Sequence, residues 1–372
     1  MKIAQIVPSL EARHGGPSRS VRGLAEGLAL CGQQVELLTT GPLVAAHTGA
    51  SALTTFAFPR QCPESIARST SLSTHLGAHS YDIIHSHGLW QRTLHYAHAA
   101  ARKTGAPLVI SPRGMMSPWA WRHRRWKKRL ASMLVHPGAF LGASGWHATS
   151  HEEAEDIRQL GFTQPICVAH NGVIPPSLAE EESAAANWRT FLPDLNGRRV
   201  ALFYSRFHSK KRVLELIDLW LSKPRNDWVL LLAGIPEQYS VNELDSYITS
   251  NGGSGRIIVQ DGANRPPPYA LASLFLLPSH SENFGLVIAE ALVRGVPVLT
   301  TDATPWRDLA VQGAGLCVSW ENYSDALDSL LNESALSLQQ SGQRARVWAS
   351  ETYSWEKAAQ TILAFYDQLT HR

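Results

Sequence analysis

The chain has 372 residues, 44% of them hydrophobic and 17% charged, with a formal net charge of +3. That length asks for about two domains, and the balance is a globular one that supplies a core for each. The small net charge gives no footing for a nucleic-acid binder. The apolar opening Met1-Lys2-Ile3-Ala4-Gln5-Ile6-Val7 stops at Pro8 with no cleavage-site pattern behind it, so it does not read as a secretory signal. No stretch approaches the ~20 apolar residues of a membrane span. Cys31, Cys62, Cys167 and Cys317 are too scattered for a metal-type spacing. A reduced, cytoplasmic chain is the expectation.

Strands and helices alternate along the chain. Residues 2–7 form a short buried strand, and a glycine- and serine-rich turn follows at Arg13-His14-Gly15-Gly16-Pro17-Ser18. Val21, Leu24, Ala25, Leu28 and Ala29 then recur at helical spacing. Residues 34–39, 81–85, 107–111 and 146–148 read as further strands of the same sheet. Asn171-Gly172 marks a turn, Pro175 and Pro176 stop any helix, and a polar stretch runs to 197. The alternation restarts with strands at 200–205, 228–233, 256–259, 274–278 and 296–300. Ser354 caps a last helix over 355–369. The expectation is an α/β fold of two doubly wound domains facing each other across a cleft, where such architectures bind ligands. The domains are set at 1–172 and 199–352, with a connector at 173–198 and a C-terminal helix at 353–372.

Six segments draw attention for their chemistry. Gly15-Gly16-Pro17 follows the first strand and permits close approach of a phosphate or sugar, but it is neither a dinucleotide fingerprint nor a Walker loop. His85-Ser86-His87, with His95 and His98, has no carboxylate or cysteine to complete a metal site, so no metal is expected; His87 instead ends a strand at the cleft beside Gly88. Ile110-Ser111-Pro112-Arg113-Gly114 places an arginine after a middle strand, where it can bind a phosphate or a carboxylate but cannot act as a base at neutral pH. Trp119-Ala120-Trp121-Arg122-His123-Arg124-Arg125-Trp126-Lys127-Lys128-Arg129 holds three Trp and six Arg or Lys in eleven residues. Continued by Leu130, Met133 and Leu134 it makes a basic amphipathic helix. Two readings stand side by side: contact with an anionic membrane surface, or a solvated helix whose Trp pack on their own domain.

Tyr204-Ser205-Arg206-Phe207-His208-Ser209-Lys210-Lys211-Arg212 follows the first strand of the second domain. Arg206 and Lys211 offer a fork and a point charge to a diphosphate, although a charge cluster of this kind is also what a solvated loop looks like. The sharpest segment is Pro278-Ser279-His280-Ser281-Glu282-Asn283-Phe284-Gly285-Leu286-Val287-Ile288-Ala289-Glu290-Ala291. Gly285 lets the backbone pass close to a ligand, and the N–H groups of Leu286 and Val287 open a helix and suit a phosphate. Glu290 lies within an apolar run, where a carboxylate is costly unless something bonds to it. A pair of sugar hydroxyls would serve, and so would a local arginine.

Together these segments resemble the retaining glycosyltransferases of family 4, which have the GT-B fold, and the resemblance covers nearly the whole chain. Its most specific part is the Glu-x7-Glu pair, Glu282 and Glu290. Arg206 and Lys211 match the family's diphosphate clamp, with Ser205 and Arg212 where glycine is usual. Asn171-Gly172-Val173 matches the end of the first domain, with Ile174 where Asp is usual. Ser354-Trp355-Glu356 matches the start of the last helix, which in this family crosses back to the first domain. The resemblance implies that Glu290 binds the donor ribose and Glu282 the donor sugar. It implies that Arg206 and Lys211 neutralise the diphosphate, so these two and Glu282 are the catalytic set. Asn283, Phe284 and Gly285 present N–H groups to the sugar, Leu286 and Val287 present theirs to phosphate, and Gly15 and Gly16 approach the donor from the first domain. His87 and Arg113 fall to the acceptor or cleft side; Arg113 stands where many members carry a His in a Thr-x-His segment. That departure resembles a subgroup of bacterial exopolysaccharide and lipopolysaccharide assembly.

The implied function is transfer of a sugar, with retention and without a metal or other cofactor, from a UDP- or GDP-linked donor to a glycan or lipid-linked acceptor. The implied place is the cytoplasm, with peripheral attachment to the inner face of the membrane through 119–129. Rival readings are a sugar-nucleotide epimerase or a phosphorylase on the same fold, or a sugar-nucleotide binder without turnover.

Overall fold

The computed structural model describes residues 1–11, 16–42, 52–122, 125–192, 195 and 197–371. Gly15, His123 and Arg124 therefore lie outside the described residues, as do the side chains of Trp119, Arg122, Arg125, Lys127 and Arg129. The first half carries β1 (Lys2–Val7), α1 (Gly16–Leu30), β2 (Gln34–Thr40), β3 (Leu53–Phe58), α2 (Thr70–Ala78), β4 (Ile83–His87), α3 (Arg92–Thr104), β5 (Leu108–Ser111), α4 (Pro118–Arg122), α5 (Arg125–Leu134), β6 (Gly145–Ala148), α6 (His151–Gln159) and β7 (Ile166–Val168). The second carries α7 (Leu178–Arg189), β8 (Arg199–Phe207), α8 (Val213–Leu221), β9 (Trp228–Pro236), α9 (Val241–Ser250), β10 (Ile257–Asp261), β11 (Leu274–Leu277), α10 (Leu286–Val293), β12 (Val298–Thr301), β13 (Gly315–Val318), α11 (Tyr323–Leu331), α12 (Ala335–Thr352) and α13 (Trp355–Thr370). The chain divides into two units, Met1–Gly172 with Tyr353–Arg372, and Val173–Thr352.

The first unit is built on a parallel sheet in the order β3-β2-β1-β4-β5-β6-β7. A parallel strand covered on both faces must be apolar on both, and β1 is: Ala4 and Ile6 join the cluster holding Leu72, Leu94 and Ala97, while Ile3 and Val7 join the one holding Val21, Leu24, Phe365 and Tyr366. The last helix, α13, begins at Ser354, whose hydroxyl accepts from Lys357 N at 3.1 Å. Its Trp355 is seated among glycines, since a Cβ added at Gly23, Gly27 or Gly172 would collide with it.

The second unit carries a parallel sheet in the order β10-β9-β8-β11-β12-β13. The segment 173–198, set apart as a connector in the sequence, falls within this unit and holds α7. A capping box between Ser177 and Glu180 starts that helix. Its Trp188 is fully buried and donates to Pro266 O at 2.6 Å, which anchors the helix to the sheet domain.

In both sheets the strand order reverses once, between β1 and β4 and between β8 and β11. The chain winds outward in opposite directions from each of these pairs, so the loops leaving their carboxyl ends part and open a crevice there. β4 departs from the sequence expectation: it covers Ile83–His87, two residues beyond the expected 81–85. His85, Ser86 and His87 are all buried within the strand. The reason is a buried polar group that the neighbouring elements complete. Gln5 of β1, Ser111 of β5, His147 of β6 and Tyr366 of α13 are likewise buried. They join to the two β4 histidines through bonds of 2.6 Å from His87 Nε2 to Gln5 Oε1, 2.5 Å between His85 Nδ1 and Tyr366, 2.7 Å from His85 Nε2 to Ser111 and 2.7 Å from Ser111 to His147 Nδ1.

These histidines stay neutral in the folded chain. Burial first, then the charges of His147 and Arg113, holds His85 well below its ordinary range; burial, His85 and Arg113 do the same to His87, and burial with Arg113 pushes His147 down to about 3. Once unfolded, each ring takes a proton near pH ~6.5. The unfolded state then binds more protons than the folded one, so stability is full above that pH and falls as pH drops, by ~1.4 kcal/mol per pH unit for each ring. Urea midpoints of the β4 and β5 peptides, read by pulsed hydrogen exchange, should hold steady from pH 8 to 7 and fall between pH 6.5 and 5. Midpoints unchanged over that lower range would contradict neutral buried rings.

Candidate active site

In the second unit the segments singled out in the sequence meet at the reversal between β8 and β11. After β8, the short turn Ser209–Lys211 carries Lys211 into a buried position. After β11 the chain runs through Ser279 to Glu282. The two loops are tied together, His280 N donating to Lys210 O at 2.8 Å. Lys211 Nζ pairs with Glu282 Oε1, and Ser279 Oγ donates to the same carboxylate oxygen at 2.6 Å. Burial raises the Glu282 carboxyl, but the Lys211 ammonium, the Ser279 hydroxyl and Lys210 outweigh it and hold it below the usual carboxylate range. Glu282 is thus a fixed anion and Lys211 a fixed cation.

Further along the same segment, Gly285 adopts φ 78°, a left-handed conformation that costs glycine nothing. A Cβ there would stand 3.2 Å from Ile288 Cδ1 and 3.3 Å from Trp306 Nε1. Trp306, fully buried, donates its indole N–H to Phe284 O and packs on the Phe284 ring at 5.2 Å. No side chain caps α10, so the N–H groups of Leu286 and Val287 open the helix as the sequence reading expects. Glu290 lies in the second turn of α10 and is only 5% exposed. The Tyr269 hydroxyl donates to its Oε2 at 3.0 Å, and Arg294 reaches its main-chain oxygen at 2.9 Å. Burial, reinforced by the Glu290 charge, pushes the Tyr269 phenol well above its ordinary value, so it stays a donor.

Arg206 is set apart from this group. It is on β8, pairs with Glu237 at 2.9 Å, and its side chain is 43% exposed. Tyr269 and Trp306 escaped the sequence reading, since they come from distant segments with no local pattern; Ser279 stood in the Glu282 segment, three residues before that carboxylate, without a role assigned to it.

In the first unit, Gly16 opens α1, and a Cβ added there would meet no described atom within 4 Å. Packing does not demand this glycine. His87 ends β4, and Arg113 follows β5 with φ 55°, uncommon for a residue with a side chain. Arg113 is 9% exposed. Its Nε and one terminal nitrogen face His87 Nδ1 at 3.3 and 3.1 Å, and the other terminal nitrogen donates to Asn171 Oδ1 at 2.8 Å. The sequence reading placed His87 and Arg113 on one side of a cleft, and the structure brings them into direct contact.

The basic Trp-rich stretch divides. Trp121 packs on Trp90 at 5.6 Å, and Lys128 lies over the Trp90 ring at 5.5 Å. Trp126, by contrast, is 66% exposed, and Leu130, Met133 and Leu134 are exposed with it. No helix among the described residues is long and apolar enough to cross a membrane.

Residues 15–172 match the family model described as glycosyl transferase 4-like domain, and residues 186–348 match the one described as glycosyl transferases group 1. The chain is 26% identical over 275 residues to the GDP-mannose:cellobiosyl-diphosphopolyprenol alpha-mannosyltransferase of Xanthomonas campestris, covering 71% of this chain and 67% of that one. It is 25% identical over 406 residues to the D-inositol 3-phosphate glycosyltransferase of Xylanimonas cellulosilytica, covering 96% and 93% of the two chains. Among solved structures, Anabaena HepE in complex with UDP and glucose superposes with a TM-score of 0.75 at 20% identity, over 99% of this chain and 100% of that one. That likeness speaks for the fold, whose two doubly wound sheets are those of GT-B enzymes. With one family model on each unit and the Glu282–Glu290 segment at the strand reversal of the second, the chain belongs to the group 1, 4-like glycosyltransferases.

Proposed function

We propose that the protein transfers a sugar, with retention of configuration and without a metal, from a nucleotide diphosphate sugar held by its second unit to a glycan or lipid-linked acceptor of cell-surface polysaccharide. The observation that carries this reading is the buried Lys211–Glu282 pair together with the Glu290–Tyr269 pair: Lys211, Glu282 and Glu290 follow the two strands of the reversal in one sheet, and Tyr269 lies in the turn that enters β11. The donor nucleotide is UDP or GDP: a relative's name specifies GDP-mannose and a structural neighbour holds UDP.

The two cations have different parts. Breaking a buried ion pair leaves an uncompensated charge at a cost of ~3–5 kcal/mol, so Lys211 stays beside Glu282. An exposed pair is worth ~0–1 kcal/mol, so Arg206 exchanges Glu237 for a phosphate oxygen at little expense. Charge builds on the leaving diphosphate as the glycosidic bond to it breaks. A fixed cation and a recruited one therefore stabilise the transition state more than the ground state, which is the part a metal plays elsewhere. The leaving phosphate stays on the face that the acceptor attacks and takes its proton. Glu290, already oriented by Tyr269, accepts from the ribose hydroxyls, and Glu282 accepts from the donor sugar. The N–H groups of Asn283, Phe284 and Gly285 serve the sugar, and those of Leu286 and Val287 the phosphate.

A membrane surface is the place of action that the α5 helix supports. Trp126, Leu130, Met133 and Leu134 are 66%, 49%, 70% and 63% exposed and recur at the spacing of one helical face. The sequence around them carries six Arg or Lys between 119 and 129. An apolar stripe with basic flanks complements an anionic bilayer.

Glu290→Ala should weaken nucleotide binding about 10- to 100-fold, the worth of a charge-assisted hydrogen bond of ~1.5–3 kcal/mol; calorimetry that finds unchanged affinity in a folded variant removes Glu290 from the ribose site. Lys211→Ala should lower kcat more than it raises the donor KM, and EDTA should leave the wild-type rate intact. Loss of activity in EDTA with recovery on adding magnesium or manganese would overturn the metal-free scheme. The protein should co-sediment with anionic and not with neutral vesicles, each basic residue adding about 1 kcal/mol at low salt. Exchanging Arg125, Lys127, Lys128 and Arg129 for Glu should abolish that, and equal sedimentation of the two proteins would refute it.

A further inference from the structure

The polar group at the heart of the first unit has only one arrangement of protons. Arginine donates and cannot accept, so His87 Nδ1 is an acceptor and its proton sits on Nε2. That proton goes to Gln5 Oε1 at 2.6 Å, which turns the Gln5 amide nitrogen toward the Tyr366 hydroxyl at 3.0 Å. Tyr366 then donates to His85 Nδ1 at 2.5 Å, His85 Nε2 to Ser111 at 2.7 Å, and Ser111 to His147 Nδ1 at 2.7 Å. His147 Nε2 ends the series on the main-chain oxygen of Ala169 at 3.0 Å, an atom that can only accept. The donor-only end at Arg113 and the acceptor-only end at Ala169 independently demand the same direction. Every link between them is satisfied with all three rings neutral, and a proton added to His87 Nδ1 would set it against the donor-only Arg113.

The consequence falls on Arg113. The groups bonded to it carry no negative charge: its hydrogen bonds go to His87 and Asn171, both neutral acceptors. Glu153 acts on the guanidinium through space, but its own oxygens accept from Gly114 N at 2.6 Å and from Thr149 N and Oγ1 at 2.7 and 3.0 Å. A buried cation held by neutral partners is costly to keep, and so is a left-handed backbone on an arginine. Both features sit at the carboxyl end of β5, one strand from the reversal between β1 and β4, where an open sheet binds its ligands.

We propose that Arg113 is an oxyanion site of the first unit that takes a phosphate group of the acceptor. Its positioning residues are His87 and Asn171, and the directed series from Gln5 to Ala169 locks His87 in the accepting tautomer. The assignment to the acceptor rests on the glycosyltransferase reading above; the anion site itself does not.

The probe is a short isoprenyl diphosphate, farnesyl diphosphate, titrated calorimetrically onto the full chain with UDP at saturation. Wild type should bind one equivalent. Arg113→Gln should lower the affinity at least tenfold with an unchanged near-UV spectrum, Arg113→Lys should fall between, and His87→Asn, which keeps an acceptor facing Arg113, should retain most of it. Equal affinity in wild type and a folded Arg113→Gln would make Arg113 merely structural. Arg113-dependent binding that UDP abolishes, or that inorganic pyrophosphate matches in strength, would overturn the acceptor assignment. If Arg113→Gln does not fold, hydrogen exchange of wild type decides: the probe should slow exchange around 111–114 and 171, and no change there sinks the proposal. Arg113-dependent binding in a protein that transfers no sugar would reject the activity and keep the site.

Discussion

The reversal of winding in a parallel sheet is the constraint on which the rest depends. Strands β8 and β11 are neighbours, yet the connections leaving them run to opposite sides, so the loops that follow have to part. The segments singled out in the sequence of the second unit gather there. The loop after β8 supplies Lys211 and the loop after β11 supplies Ser279 and Glu282, joined by the bond from His280 N to Lys210 O. Helix α10 starts from the same loop because Gly285 can turn left-handed, and its second turn brings Glu290 under Tyr269. The first unit repeats the geometry between β1 and β4, with His87 at the end of β4 and Arg113 one strand further on.

The two units meet burial of charge in different ways. In the second, a carboxylate and an ammonium neutralise each other, and a hydroxyl from Ser279 gives the same carboxylate oxygen a second donor. Such a pair is stiff, since removing either partner leaves the other stranded. In the first, a guanidinium is held by neutral groups, and three histidines are kept uncharged by burial and by the fixed direction of their hydrogen bonds. A fully connected buried polar group of this kind specifies one arrangement, because with neutral rings every alternative leaves a donor facing a donor or an acceptor facing an acceptor. The helix α13 contributes Tyr366 to that group and Trp355 to the glycine seat beside α1. The end of the chain is in this way part of the polar interior of the first unit.

Much of this was legible in the sequence, and the exceptions have physical causes. Central strands such as β1, β8 and β11 are largely buried and read as mainly apolar runs. The strands that escaped, β3, β7 and β13, are sheet edges whose residues are mostly half-buried, so their pattern is diluted. The end of β4 at His87 agrees with the reading of His87 as a strand end, whereas the strand bounds of 81–85 fell two residues early, because only partners from β1, β5 and α13 make a His-Ser-His sequence a fit interior. Glu290 was legible because an acid inside an apolar run must be compensated, Lys211 because it belongs to a charge cluster after a strand, and Glu282 through the Glu-x7-Glu resemblance. Tyr269 and Trp306 were not, since the residues they hold lie elsewhere in the chain. Arg113 was noticed as a departure; its neutral surroundings and its backbone could be seen only in three dimensions.

The central claim is that the second unit holds a nucleotide diphosphate sugar for transfer. The most direct measurement incubates the full chain with UDP- and GDP-sugars, with and without a polyprenyl-diphosphate glycan fraction, and follows sugar, nucleotide and anomeric configuration by mass spectrometry and NMR. The account expects one donor to be consumed only when acceptor is present, releasing the nucleoside diphosphate in step with a product of unchanged anomeric configuration. Isomerised donor without acceptor, dependence on free phosphate, or tight binding with no turnover of any donor would contradict it.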